Sequence, residues 1–168
     1  PLRRAGPLRR CARCGRTAGR EGWTGVLISP HGRYGEDLLA SACHVLGHPL
    51  AQTAHLAVSI KDDPDEVLRE ARKLLKGVDD GSGALVMTDM YGATPCNIAT
   101  QLIAEGNVEA VSGVSLPILV RPLPHRDPPL PKFRDQAIAP GHAGPATTHR
   151  DPPAHRPSAH DPQQAPTP

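Results

Sequence analysis

Apolar positions along this chain alternate between two patterns. Short unbroken runs, many of their members β-branched, occur at residues 25–30, 54–60, 84–88 and 108–111. Between them, apolar residues recur every three or four positions. Unbroken runs bounded by turn residues predict buried strands, and the three-to-four spacing predicts amphipathic helices. The first helix is expected over Tyr34–Leu46, with Leu38, Leu39, Ala42, Val45 and Leu46 on its buried face and Gly47 as its stop. The second opens on Asp63 as N-cap, Pro64 in the first position and Glu66 in the third. Its buried stripe is Val67, Leu68, Ala71, Leu74 and Leu75, and Gly77 is expected to end it. Thr94-Pro95 repeats the capping residue and proline for a third helix, which buries Ile98, Ala99, Leu102 and Ile103 and closes at Gly106. Leu116 to Arg121 begins a fourth, which Pro122 and Pro124 interrupt, since an interior proline costs a helix about 3 kcal/mol. Strand, helix and strand alternate with short connections. The expected fold is therefore α/β: a single doubly wound domain, its sheet mostly parallel in the order 2-1-3-4, with helices on both faces.

Two strand ends carry chemistry. The first run leads into Pro30-His31-Gly32, and the third into Asp89-Met-Tyr-Gly92-Ala-Thr94-Pro95. If strands one and three are neighbours, His31 and Asp89 flank the switch point where open α/β sheets place their sites. A strand-end histidine can be a nucleophile, an acid/base, a metal ligand or a capped surface residue. A carboxylate beside it favours the first, because it fixes the tautomer and leaves the other nitrogen's lone pair free. Gly92 allows close backbone approach, and Thr94 sits at a helix N-terminus, whose free N–H groups and dipole suit a phosphate. That combination points to phosphoryl transfer through a phosphohistidine.

Charge and proline content bound the rest. Residues 1–21 hold seven arginines against one glutamate, a net of +6, whereas residues 22–120 hold six basic and twelve acidic side chains, a net of −6. The overall +2 hides an acidic body. Thirteen of the twenty prolines lie from Pro122 onward, where few large apolar groups are available to offset ordering entropy. The expected organisation is a basic, disordered leader over 1–22, one domain over 23–144 and a disordered Pro/His-rich tail over 145–168.

No aromatics interleave the leader's arginines for base stacking, so nucleic acid is not an expected partner. Cys11-Ala-Arg-Cys14 lacks the second ligand pair that a zinc site needs. Cys43 and Cys96 fall in predicted helices, where buried free thiols are common. His44 and His48 share a helix face but have no third ligand, His55 begins the second strand, and His142, His149, His155 and His160 lie irregularly among tail prolines. No apolar run reaches the roughly 18–20 residues of a membrane span, and no secretory signal is evident.

Residues 25–121 resemble the enzyme IIA component of the mannose/fructose/sorbose family of the bacterial phosphoenolpyruvate-dependent sugar phosphotransferase system. The likeness rests on Gly25-Val-Leu-Ile-Ser-Pro-His-Gly32 with Gly35-Glu-Asp-Leu-Leu39, on Thr88-Asp-Met-Tyr-Gly-Ala-Thr-Pro95 with Asn97, and on Val111-Ser-Gly-Val-Ser-Leu-Pro117. It implies a cytoplasmic phosphotransferase in which His31 accepts a phosphoryl group from the carrier protein HPr and passes it to a separate IIB component. Asp89 would orient the histidine, and Thr94 with neighbouring amides would hold the phosphate. No metal or organic cofactor is implied. The resemblance also implies a homodimer that exchanges a strand near the C-terminus. Arg33 and Tyr91, beside the site, are candidate partner contacts. The chain departs from the family at Pro30, where threonine is common, and in its proline-crowded segment after Arg121. A regulatory phosphoprotein of the same fold, a subunit serving dihydroxyacetone kinase, and a non-functional copy with a disrupted C-terminus are the alternatives.

Overall fold

In a computed structural model, which describes residues 22–127 and 129–143, four parallel strands form one sheet. The strands are β1 (Gly25–Ile28), β2 (Thr53–His55), β3 (Ala84–Thr88) and β4 (Val108–Ser112), in the order β2-β1-β3-β4. The helices are α1 (Tyr34–Leu46), α2 (Pro64–Val78), α3 (Thr94–Ile103), α4 (Leu116–Val120) and α5 (Leu130–Ala143). Side chains alternate across the pleat, so each strand feeds two cores. Val26, Ile28, Leu85, Met87 and Val111 face one layer, with Leu38 and Ala42 of α1, Leu119 of α4 and Phe133 of α5. Leu27, Ala84 and Val86 face the other, against Leu68 and Leu75 of α2 and Leu102 of α3. The α/β architecture, strand order and two covered faces agree with the pattern expected from sequence.

The first two strands are shorter than their apolar runs. β1 stops at Ile28 instead of residue 30, and β2 at His55 instead of residue 60, so that His55 ends the strand where it was expected to begin it. The cause is Pro30. Val26 N–H donates to the Gln52 carbonyl, and Gly32 N–H donates to that of Val58. On the same ladder the N–H of position 30 would meet the Leu56 carbonyl, and proline has none. The segments stay side by side through Val58 N–H to the Pro30 carbonyl, leaving only an isolated bridge between His31 and Val58.

Helix ends follow local chemistry. α1 stops at Gly47, whose φ of +72° is the left-handed cap expected there. Asp63 caps α2 by accepting from Asp65 N–H, but the helix runs one residue past Gly77, to Val78. The cap of α3 is Ala93, with Thr94 already its first residue, and the helix ends at Ile103, before Gly106. Cys43 and Cys96 are free thiols, partly exposed.

The proline-rich segment after Arg121 completes the domain. A turn over 121–124 absorbs Pro122 and Pro124, Pro131 lies in the first turn of α5, and Pro140 comes only three residues before its end. No strand follows β4 among the described residues. Cys11 and Cys14, the leader through residue 21, the tail from residue 144 and the His142 side chain lie outside what is described, so the expectations placed on them have no structural counterpart.

β1 lies so close to α2 that a Cβ on Gly25 would come 2.7 Å from the Val78 carbonyl oxygen. Backbone cannot yield as a flexible side chain can. Gly25→Ala is therefore expected to cost about 2 kcal/mol by overpacking, read as a lower midpoint in urea.

Candidate functional site

β1 and β3 are direct neighbours, with Ile28 opposite Met87, so the residues that follow them emerge side by side at the carboxyl edge of the sheet. The chain leaves β1 for β2 on one side and returns to β3 on the other, which opens a crevice between the two loops. His31 and Asp89 meet there. His31 Nδ1 lies 2.9 Å from Asp89 Oδ2 and 3.1 Å from Oδ1, and the His31 backbone N–H donates to Oδ2 at 3.0 Å. The carboxylate thus holds both the ring and the backbone that carries it. The histidine side chain is 34% exposed and the aspartate 22%.

Burial pushes the Asp89 carboxyl up. The hydrogen bonds from the His31 backbone and ring, together with its own backbone N–H, outweigh that effect and leave it below its ordinary value. Asp89 is therefore ionised at neutral pH and can only accept. The hydrogen between it and Nδ1 belongs to the imidazole, and the neutral ring keeps its lone pair on Nε2. A carboxyl lowered in the folded state adds stability above its ordinary value of 3.8, and this contribution is lost as pH falls below that value through the native one. The thermal midpoint is expected to fall across that acid window, with the dependence flattened in Asp89→Asn.

A second layer fixes Asp89. Its carbonyl accepts from Gly113 N–H, and the Thr88 carbonyl accepts from Val114 N–H. The Tyr34 hydroxyl of α1 donates to the Val114 carbonyl at 3.2 Å. The Thr88 and Ser112 hydroxyls are 2.8 Å apart, and Ser112 in turn donates to Cys96 Sγ in the first turn of α3. In the sequence, Val111–Pro117 stands out only as a family motif. Its physical work is to tie the ends of β3 and β4 to α1 and α3. The signal that could have shown this is Gly113, whose φ of +91° makes the turn back toward Asp89 possible.

The other expected site residues share this edge. Gly92 has a φ of +78° in the loop between Asp89 and α3. Thr94 is exposed at the start of α3, and among the described residues nothing hydrogen-bonds its hydroxyl. First-turn N–H groups have no intrahelical acceptor; Thr94 and Cys96 supply such donors here, whereas Pro95 has none. No acidic side chain occupies that turn, in contrast to Glu36 and Asp37 of α1 and Asp65 and Glu66 of α2. The turn can accept an anion. Arg33 precedes α1 as its N-cap and pairs with Glu36 at 3.5 Å, so its charge is partly committed. Tyr91 is 88% exposed. His44 and His48 lie away from this edge, at and just beyond the C-terminal end of α1. Among the described residues no three His, Cys, Asp or Glu side chains gather as metal ligands, and no helix is long and apolar enough to cross a membrane.

Known proteins share this fold. The mannose/sorbose-specific IIA subunit of the phosphotransferase system from Enterococcus faecalis superposes with a TM-score of 0.69 at 21% identity, over 76% of this chain and 96% of that one. The phosphotransferase system component EIIA from Streptococcus agalactiae gives 0.67 at 22% identity, over 74% and 96%. At these identities the likeness is one of fold. In sequence, the mannose-specific EIIAB component of Escherichia coli K12 is 27% identical over 149 residues, which span 85% of this chain and 46% of that protein. The chain thus spans less than half the length of that relative. The family model of the PTS system fructose IIA component matches residues 25–127, from the first residue of β1 through the turn before α5, and with it both halves of the His31–Asp89 crevice: the chain belongs to this family.

Proposed function

We propose that the domain relays phosphoryl groups through His31, taking them from phospho-HPr and passing them to a IIB component of a sugar phosphotransferase system. The observation that carries this reading is the doubly anchored His31–Asp89 pair, with Nδ1 engaged and Nε2 left as the ring's nucleophilic atom. The Nε2 lone pair attacks phosphorus. As the Nε2–P bond forms, the P–N bond to the donor's imidazole breaks and its electron pair returns to the donor nitrogen. His31 is then a phosphoryl-imidazolium whose remaining N–H, on Nδ1, faces the Asp89 carboxylate. That negative charge offsets the ring's positive charge. Onward transfer breaks the Nε2–P bond, returns its electron pair to Nε2 and regenerates the same tautomer. His31 neither gains nor loses a proton in the cycle, so positioning and charge stabilisation do the work.

Thr94, Gly92 and the first-turn N–H groups of α3 receive the phosphoryl oxygens in this reading, and Arg33 and Tyr91 touch the partner proteins. A cytoplasmic homodimer is part of the same proposal. β4 is an edge strand with no outer partner among the described residues, which leaves backbone groups for a strand from a second copy.

The test is incubation of the full chain with labelled phosphoenolpyruvate, enzyme I and HPr. An acid-labile, base-stable label mapped to His31 by peptide mass spectrometry is the expected result. A folded protein that takes no label, or takes it on another residue, overturns the proposal.

A further inference from the structure

Among the described residues Arg126 is the largest fully buried side chain, 1% exposed, and nothing in the phosphoryl-transfer site uses it. Its guanidinium makes four hydrogen bonds, all to neutral acceptors. Nε donates to the Leu123 carbonyl at 3.0 Å, Nη1 to the Thr53 hydroxyl at 3.3 Å and the Gln52 carbonyl at 3.5 Å, and Nη2 to the Ala51 carbonyl at 2.7 Å. One Nη2 hydrogen is left without an acceptor among the described residues. The indole of Trp23 lies over the guanidinium, 4.8 Å from its carbon. No carboxylate among the described residues pairs with this charge. The adjacent Asp127 instead accepts from Trp23 Nε1, and Asp80 accepts from Gly22 N–H and Gln52 Nε2. A buried cation without a counter-ion is a costly arrangement, and burial alone lowers the Arg126 pKa to about 10.

Beside this charge is a cleft of about 230 Å³, lined by Trp23, Leu50, Ala51, Leu123 and Arg126 among others, and mostly apolar. It lies at the amino edge of the sheet, where Thr24 N–H meets the Arg126 carbonyl just before β1, so it is remote from the His31 crevice. We propose that this cleft binds a small organic carboxylate, its charge on the Arg126 guanidinium and its carbon body against the Trp23 indole and Leu123. The one Nη2 hydrogen left over can give a carboxylate oxygen a single charge-assisted hydrogen bond, and the guanidinium is weakly hydrated, which suits it to a desolvated pair. At about 30 Å³ per water-sized group, the cleft holds a ligand of roughly eight non-hydrogen atoms. An inorganic anion would leave the apolar walls uncovered.

Trp23 is the chain's single tryptophan, so its emission reports the cleft directly. The full chain is titrated with sodium cyclopentanecarboxylate, with the neutral cyclopentanecarboxamide, with inorganic phosphate and with sodium chloride at matched ionic strength. The carboxylate is expected to change Trp23 emission saturably, with half-saturation at or below about 10 mM, within reach of a ligand of this size. The amide and phosphate are expected to bind at least about tenfold more weakly. Leu50→Phe, which fills the cleft and leaves Arg126 in place, is expected to abolish the response while the far-ultraviolet circular dichroism stays unchanged; Arg126→Lys, which keeps the charge but loses the planar donor set that fixes it against the Leu123, Gln52 and Ala51 carbonyls, is expected to weaken it at least about tenfold if folded. No saturable change beyond that of chloride overturns the proposal, as does an equal response to the amide or phosphate, or one that survives in Leu50→Phe. A response seen only in Glu21→Gln would make the chain's own carboxylate the occupant and overturn it too. Since none of these measurements involves phosphoryl transfer, the outcome is independent of the role proposed for His31.

Discussion

Asp89→Asn is expected to slow phosphoryl transfer to His31 by about 10²- to 10⁴-fold, the range seen when a histidine loses the carboxylate that sets its tautomer. The two side chains are nearly the same size, so the effect comes from hydrogen-bond polarity. Oδ2 accepts from both the His31 backbone N–H and Nδ1, while Oδ1 faces Nδ1 at 3.1 Å and Met90 N–H at 2.9 Å. An amide oxygen in place of Oδ2 would keep the first pair of contacts but set its NH2 group against the Met90 N–H. Reversed, the NH2 would face the His31 backbone N–H and would donate to Nδ1. The imidazole proton would then move to Nε2, and the nucleophilic lone pair would be lost. Either way the amide cannot offset the charge of a phosphoryl-imidazolium. Rapid-quench transfer from phospho-HPr measures the rate, and a value within about threefold of wild type in a folded variant would remove Asp89 from the mechanism.

The site was legible because its two halves each follow an apolar run with a polar residue and a glycine, a pattern that survives without knowledge of packing. His31, Asp89, the α1 boundaries and the Asp63 cap were all readable from local signals. Features set by a neighbour were not. The short β2 depends on a missing donor just after β1, since Pro30 acts across the ladder on residues that themselves look like a longer strand. Thr94 resembles an N-cap, but Ala93 takes that position because the loop after Gly92 enters the helix one residue earlier. Nothing local to Arg126 signals its burial, whereas three carbonyls and an indole enclose it, most of them contributed by segments distant in the chain. The link from Ser112 to Thr88 and Cys96 likewise joins residues whose proximity only the fold creates.

Phe133→Ala is expected to destabilise the domain by about 3–5 kcal/mol, as much as single truncations in a core commonly cost. Counting prolines after Arg121 suggested a fold left unfinished, and the same stretch contains the opposite signal. Leu130, Phe133, Ala137 and Pro140 are spaced three, four and three apart, the repeat of a helix face, and all four are buried. Phe133, the chain's single phenylalanine, is 0% exposed and packs in the layer that also holds Met87 of β3 and Leu119 of α4. Around it, Arg134 reaches Glu109 of β4 at 3.1 Å, a partly exposed pair that adds little beside the buried ring. The cavity left by Phe133→Ala opens in the layer that also holds Met87, which stands two residues before Asp89. The variant should therefore lose most of a marginal domain's stability and become measurably more active per folded molecule in no condition. Urea denaturation with β-sheet and helix signals followed together gives the size of the loss. A midpoint shifted by less than about 1 kcal/mol equivalent would mean that α5 rests on the domain without being part of its core, and that the proline-rich segment does not complete the fold after all.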